Sequence, residues 1–319
     1  MTSAKPSLPV WVALVGSGIA GALTAVQSRI NGGLSQHLGN GYVTAAVSFG
    51  SGLVILCLVI GLSKRAKRGF SLVKQEVQSG HLPWWALLGG TFGAFFVLGQ
   101  GLVATVLGLA LFTVGIVAGQ VLGGLVIDRI GLGPSGRVDP TLPRVTGMVL
   151  ALLAVVFSVI ADLANPTSES GQIWLMVVPV LVGAGVSMQS AVNGLLRSAA
   201  QSALTATFIS FLVGTVILVV IAVISVAMQG WPTNWPTHPL YYAGGSLGIV
   251  FIALAAMLVR TAGVLLLSMS NVAGQLIASV ALEAGLPLAG GVSAGLLAGA
   301  AVALVAVAIA AIPRRKIVS

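Results

Sequence analysis

The sequence predicts an all-α membrane protein of ten spans, arranged as two five-helix units that enter the bilayer in opposite senses. Of its 319 residues, 57% are hydrophobic and only 7% charged, against roughly 25% charged in a soluble domain. Stretches such as 145–161, 204–226 and 292–312 carry no charge at all, and about 20 apolar residues suffice to cross the hydrocarbon of a bilayer. The chain also repeats itself, and a repeat fixes architecture before any local reading does.

Residues 21–34, GALTAVQSRINGGL, return as residues 183–196, GAGVSMQSAVNGLL. Gln27, Ser28 and Asn31 recur as Gln189, Ser190 and Asn193, an offset of 162 that also carries Ser48, Phe49 and Gly52 onto Ser210, Phe211 and Gly214. At an offset of 155, Gly89, Gly90, Gly93 and Phe96 fall on Gly244, Gly245, Gly248 and Phe251, and Gly119, Gln120 and Asp128 on Gly274, Gln275 and Glu283. Residues 1–163 are therefore expected to form one unit, 164–171 a linker with turn formers such as Asn165 and Pro166, and 172–319 the second unit. Lys5 ahead of an apolar stretch imitates a signal peptide, but the second copy lies in mid-chain. The first copy is expected to be a retained helix.

In order, apolar runs place spans at 9–31, 41–62, 83–106, 109–128 and 144–163, then at 172–195, 203–228, 240–259, 262–283 and 288–311. Spans 3 and 4, like spans 8 and 9, have almost nothing between them, which predicts tight antiparallel hairpins. With the N-terminus on one side, that side receives 14 of the 15 Lys and Arg residues, the exception being Arg29. Such a bias marks the cytoplasmic face, so both termini are expected inside. An odd number of spans per unit then inverts the second copy, as in many secondary transporters. The net charge of +9 is thereby explained by topology and not by nucleic acid. Cys57 is alone, and His37, His81 and His238 lie in no metal-ligand spacing. No cofactor or metal is expected. The partners are a lipid bilayer and a small molecule, in a monomer or a homodimer.

Gln27 and Asn31 share a face of span 1, and Gln189 and Asn193 share the equivalent face of span 6. An amide facing lipid leaves donors and acceptors unmet, so these faces must look inward, either to bond neighbouring helices or to line a cavity. Span 9 carries Ser268, Asn271, Gln275 and Ser279 in one continuous polar stripe, matched on span 4 by Thr113 and Gln120. A stripe of that length favours cavity lining over packing. Gln100 on span 3 is a single case. Among the charges, Arg29 either snorkels to headgroups or meets an anionic group of a substrate. Asp128 and Glu283 stand at opposite faces, either as solvated helix ends or as carboxylates of a gate or of proton coupling.

QSxxNG followed by SFxxG, then GGxxG and AGQ, resembles the YdcZ-type branch of the drug/metabolite transporter superfamily, with two five-helix units fused. The resemblance implies an EamA-like fold in which spans 1, 3, 4, 6, 8 and 9 surround a central cavity. It further implies a plasma-membrane secondary transporter, exporting a small polar or amphipathic metabolite by alternating access. The related small multidrug exporters use a Glu in their first helix, and span 1 has no carboxylate. A non-transporting membrane scaffold or assembly factor is the alternative. No HExxH or Walker motif points to a metalloenzyme or an ATPase.

Overall fold

The computed structural model describes residues 8–107, 109–163, 175, 177–285, 294–310 and 312. Among them, regular structure is entirely helical. The long helices of the first half are α1 (Val10–Leu38), α2 (Gly41–Leu62), α3 (Lys64–Gln78), α4 (Gly90–Leu107), α5 (Leu109–Ile130) and α6 (Leu142–Leu163). The second half gives α7 (Val177–Ala200), α8 (Ala203–Gln229), α9 (Gly244–Ala262), α10 (Val264–Gly285) and α11 (Ala294–Ala310). Among the described residues, seven helical segments are long and apolar enough to cross a membrane. Burial is inverted relative to a soluble protein. Leu58, Leu62 and Val223 are 68%, 90% and 62% exposed, whereas Gln27, Asn31 and Gln120 are at most 3% exposed. Lipid solvates the outer apolar side chains, and amides must find partners inside.

Three points of the sequence reading are corrected. Span 1 does not stop at residue 31: α1 passes through Gly32 and Gly33 and ends at Gly39, whose φ of +62° suits a left-handed cap. Asn40 then starts α2, its side chain accepting from the backbone N–H groups of Tyr42 and Val43. Residues 64–78, to which the sequence assigned no span, form α3. Its Ala66, Gly69 and Val73 are buried, while Lys64, Arg65, Lys67, Arg68 and Lys74 stay exposed. Apolar positions three and four apart make such a helix amphipathic. It is fastened by Thr205 Oγ1 donating to the Ala66 carbonyl at 2.9 Å and by Phe70 set edge-on to Phe208. Finally, α9 and α10 do meet at a single residue, Gly263 (φ +77°), but the main neighbours of α10 are α1, α5 and α11 rather than α9. The linker 164–171 lies outside the described residues.

The helix crossings come in pairs related by the sequence offsets. A Cβ on Gly21 would fall on the Asn271 carbonyl of α10, and one on Gly183 would fall on the Ile116 carbonyl of α5. Gly119 meets the Val180 carbonyl as Gly274 meets that of Gly18, and Gly90 meets the Ser210 carbonyl as Gly245 meets that of Ser48. Backbone-to-backbone contact of this kind requires glycine, because dispersion between closely approached backbones binds helices where lipid removes the hydrophobic drive.

One end of the bundle collects α3, Arg129, Arg137, Arg144, Arg197 and Arg260, with the loop after α5 lying across it. Arg65 donates to the Gln201 carbonyl there, and Ser135 to that of Arg260. The opposite end carries the α8–α9 connection, where Trp231 and Trp235 stack at 5.9 Å and His37 bonds the Tyr241 hydroxyl at 3.0 Å. Aromatic residues of this type favour a membrane interface.

Candidate functional site

The polar faces anticipated on α1 and α7 look inward, but they do different things. On α1, Asn31 Nδ2 donates to Gln100 Oε1 at 3.2 Å, and Gln100 Nε2 donates to Ser28 Oγ at 2.5 Å, so Gln100 bridges α4 to α1. On α7, Gln189 Nε2 and Asn193 Nδ2 both reach Ser210 Oγ of α8, at 3.3 and 3.5 Å. The residue equivalent to Gln100 is Ala255, and it offers no hydrogen bond. Both asparagines present their carbonyl oxygens to glycine: Asn31 Oδ1 to Gly244 and Asn193 Oδ1 to Gly89.

The α10 stripe, expected to line a cavity, is largely packed. Asn271 Nδ2 donates to Gln120 Oε1 at 2.9 Å, and Ser268 shares a 2.9 Å hydrogen bond with Ser187, whose hydroxyl also lies 2.7 Å from the Gln120 carbonyl. Ser187, which the sequence reading passed over, ties α7 to α5 and α10 together. Gln275 is 5% exposed, and its amide nitrogen, that of Gln120 and the Asn271 carbonyl oxygen have no partner among the described residues. The side chain of Thr113 lies outside the described residues. So does that of Glu283.

Asp128 is neither a solvated helix end nor a carboxylate open to a mouth. It is 3% exposed, and its two oxygens accept the backbone N–H groups of Val264 at 2.7 Å and Leu265 at 3.0 Å. These are unsatisfied donors of the first turn of α10, so Asp128 caps that helix from α5 and meets the positive end of its dipole. Arg29 is half-buried on α1.

The central cavity has a composition that composition counting alone does not reveal. Its walls are Gln27 and Gln189, Phe49 and Phe211, and Gly93 and Gly248, with Phe96, Phe251, Val97 and Ile252 completing them. Every wall residue of the first half has its repeat equivalent in the wall: offset 162 relates the first two pairs and offset 155 the rest. The cavity between these atoms is small, about 10 Å³, room for roughly one water molecule. Phe49 and Phe211 pack at 4.9 Å between ring centroids. A Cβ on Gly248 would stand 2.9 Å from Gln27 Nε2 and 3.2 Å from Phe211 Cζ. One on Gly93 would strike Gln189 Nε2 and stand 3.1 Å from Phe49 Cζ. The phenylalanines were visible in the sequence as repeat matches, but nothing local marked them as wall residues.

The family model described as "Putative inner membrane exporter, YdcZ" matches the chain twice, over residues 12–157 and 174–311. No curated protein matches it. Among solved structures, one titled only "Crystal structure of protein" shares 17% identity and superposes with a TM-score of 0.62, covering 95% of this chain and 96% of that one. At that identity the likeness is one of fold.

Proposed function

Since the chain belongs to the YdcZ family of inner membrane exporters, we propose that it is a bacterial secondary transporter exporting a small polar or amphipathic metabolite. Ten spans, in units 1–163 and 172–319 of opposite orientation, rock about a central site, with both termini cytoplasmic. The observation that carries this function is the combination of paired crossings with unlike ends. The glycine contacts recur at the repeat offsets, while the Gln100 bridge at one end has only Ala255 at the other. Two like units of opposite orientation about a fixed site are the architecture on which alternating access is built. The exposed basic face of α3 supports the cytoplasmic assignment of its end.

A non-transporting scaffold is favoured by one observation, the packed Ser268–Ser187 and Asn271–Gln120 contacts. Single cysteines at Asn31 and at Asn193, in a Cys57→Ser background, separate the two. A transporter exposes Asn31→Cys to an impermeant thiol reagent from one face only and Asn193→Cys from the other. Cross-linking one end shut then abolishes labelling at that end and raises it at the other. A scaffold leaves both cysteines unreactive from either face.

A further inference from the structure

The end of the bundle crossed by the loop after α5 brings together guanidinium groups from three helices. Arg197 stands in the last turn of α7 and Arg260 in the last turn of α9. Arg65 of α3 is held over the α7–α8 junction, where its Nε donates to the Gln201 carbonyl at 3.1 Å. Arg197 is half-buried and lies within electrostatic reach of both Arg260 and Arg65. A helix C-terminus favours one cation beside it, which accounts for Arg197 and Arg260 singly but not for the meeting of three. None of the three is in an ion pair among the described residues, where Asp139 pairs with Arg137 and Glu76 with His81. Asp128 spends both its oxygens on α10. Like charges sharing a half-buried place repel more strongly than in open water, and an anion set among them replaces that repulsion with attraction.

The donors and their level in the bilayer select the anion. A guanidinium presents a rigid fork of N–H groups that matches oxyanions two bonds at a time. Three forks exceed what the two oxygens of a carboxylate accept, whereas a phosphate offers an oxygen to each. Leu62, three residues before Arg65, is 90% exposed, and from Lys64 onward the exposed side chains of α3 are basic. The step from lipid-solvated side chains to charge falls at the start of α3, the level at which headgroup phosphates lie.

From this convergence we propose that Arg65, Arg197 and Arg260 form a binding site for a phosphate group, carried either by an anionic lipid or by a soluble phosphate. Arg65 belongs to the first unit and the other two to the second, so a phosphate bound there links the halves. The site is separate from the central cavity and independent of what is transported.

Thermal unfolding of the full chain in a neutral detergent, at constant ionic strength balanced with chloride, tests the site. One arm adds inorganic phosphate, a second short-chain phosphatidylglycerol and a third short-chain phosphatidylcholine. A saturable rise in the midpoint with phosphatidylglycerol alone assigns the lipid source, and a rise with inorganic phosphate assigns the soluble one. Arg65→Gln, Arg197→Gln and Arg260→Gln should each weaken the effective probe about tenfold, the worth of one charge-assisted hydrogen bond. Lys74→Gln removes a charge from the same helix away from the cluster and should leave the affinity unchanged. Arg65 and Arg260 are exposed, so their variants report even where Arg197→Gln fails to fold.

The proposal is overturned by the absence of a saturable rise with both inorganic phosphate and phosphatidylglycerol. An equal rise with phosphatidylcholine overturns it as well. So does a loss in Lys74→Gln equal to that in the arginine variants, which would mean diffuse surface charge, or wild-type affinity in both Arg65→Gln and Arg260→Gln.

Discussion

At the end of the bundle where α1 meets α4, side-chain hydrogen bonds hold the helices together; where α7 meets α9, at the opposite end, a loop does. Gln100 ties Asn31 to Ser28 at the first. At the second, Pro134 of the α5–α6 connection stands against Gly194 at 2.7 Å from where a Cβ would lie, and Ser135 Oγ donates to the Arg260 carbonyl at 3.0 Å. Gly32, the counterpart of Gly194, has nothing within 4 Å of a Cβ among the described residues. The crossings between the halves are duplicated and the closures at the ends are not. Backbone-on-backbone contact tolerates only glycine and so keeps both copies alike. A closure made by side chains or a loop can differ in each copy, and a difference between the ends is what a directional cycle needs.

The largest expected effect tests the duplicated part. Gly21→Ala and Gly183→Ala each drive a methyl group into a carbonyl of the facing helix, and overpacking of this kind costs about 1–3 kcal/mol, at the upper end where backbone cannot yield. Both variants should lose monodisperse protein in size-exclusion chromatography, and to the same degree. Tolerance of one but not the other would mean that the halves are not mechanically equivalent.

Next in size is the anchor near the loop-closed end. Asp128→Ala strips two N–H groups of α10 of their acceptor, for a loss of about 1–2 kcal/mol seen as a lower unfolding midpoint. Asp128→Asn, which retains one acceptor oxygen, should lose about half as much. Equal losses in the two variants would assign the effect to the negative charge at the helix terminus, and no loss in either would remove Asp128 as an anchor.

A smaller effect distinguishes the closures themselves. Gln100→Ala should cost about 1 kcal/mol and make Asn31→Cys more reactive to an impermeant reagent, with Asn193→Cys unaffected. The converse change, Ala255→Gln, places an amide donor near Asn193 Oδ1, which has no partner among the described residues, and should raise the unfolding midpoint. Unchanged labelling of Asn31→Cys in Gln100→Ala would show that Gln100 does not govern access. The smallest effect is a control: Gly50, with nothing within 4 Å of a Cβ among the described residues, lies inside α2. Gly50→Ala should raise stability by about 0.5–1 kcal/mol, the helix-propensity difference alone.

Composition and hydrophobic runs were enough to read the membrane class, and the doubled QSxxNG, SFxxG and GGxxG pattern was enough to read the family. Both signals are local in the chain: lipid demands long apolar helices whatever their neighbours, and a repeat is visible without folding. α3 was legible too, since Ala66, Gly69, Phe70 and Val73 recur at helical spacing among five basic residues, but a segment too charged to be a span drew no expectation of its own. The inward direction of Gln27, Asn31, Gln189 and Asn193 followed from the cost of an amide in lipid. What those amides touch did not follow, because partners are chosen by how helices cross.

Tertiary structure alone decided that the Ser268 and Asn271 stripe is taken up by Ser187 and Gln120. It also decided that Asp128 reaches the first turn of α10, and that the cavity wall is built from repeat-related pairs with phenyl rings at its middle. Each depends on atoms more than 60 residues apart meeting within hydrogen-bond or van der Waals range. A sequence states which side chains share a face of one helix; only the crossing geometry states which faces meet.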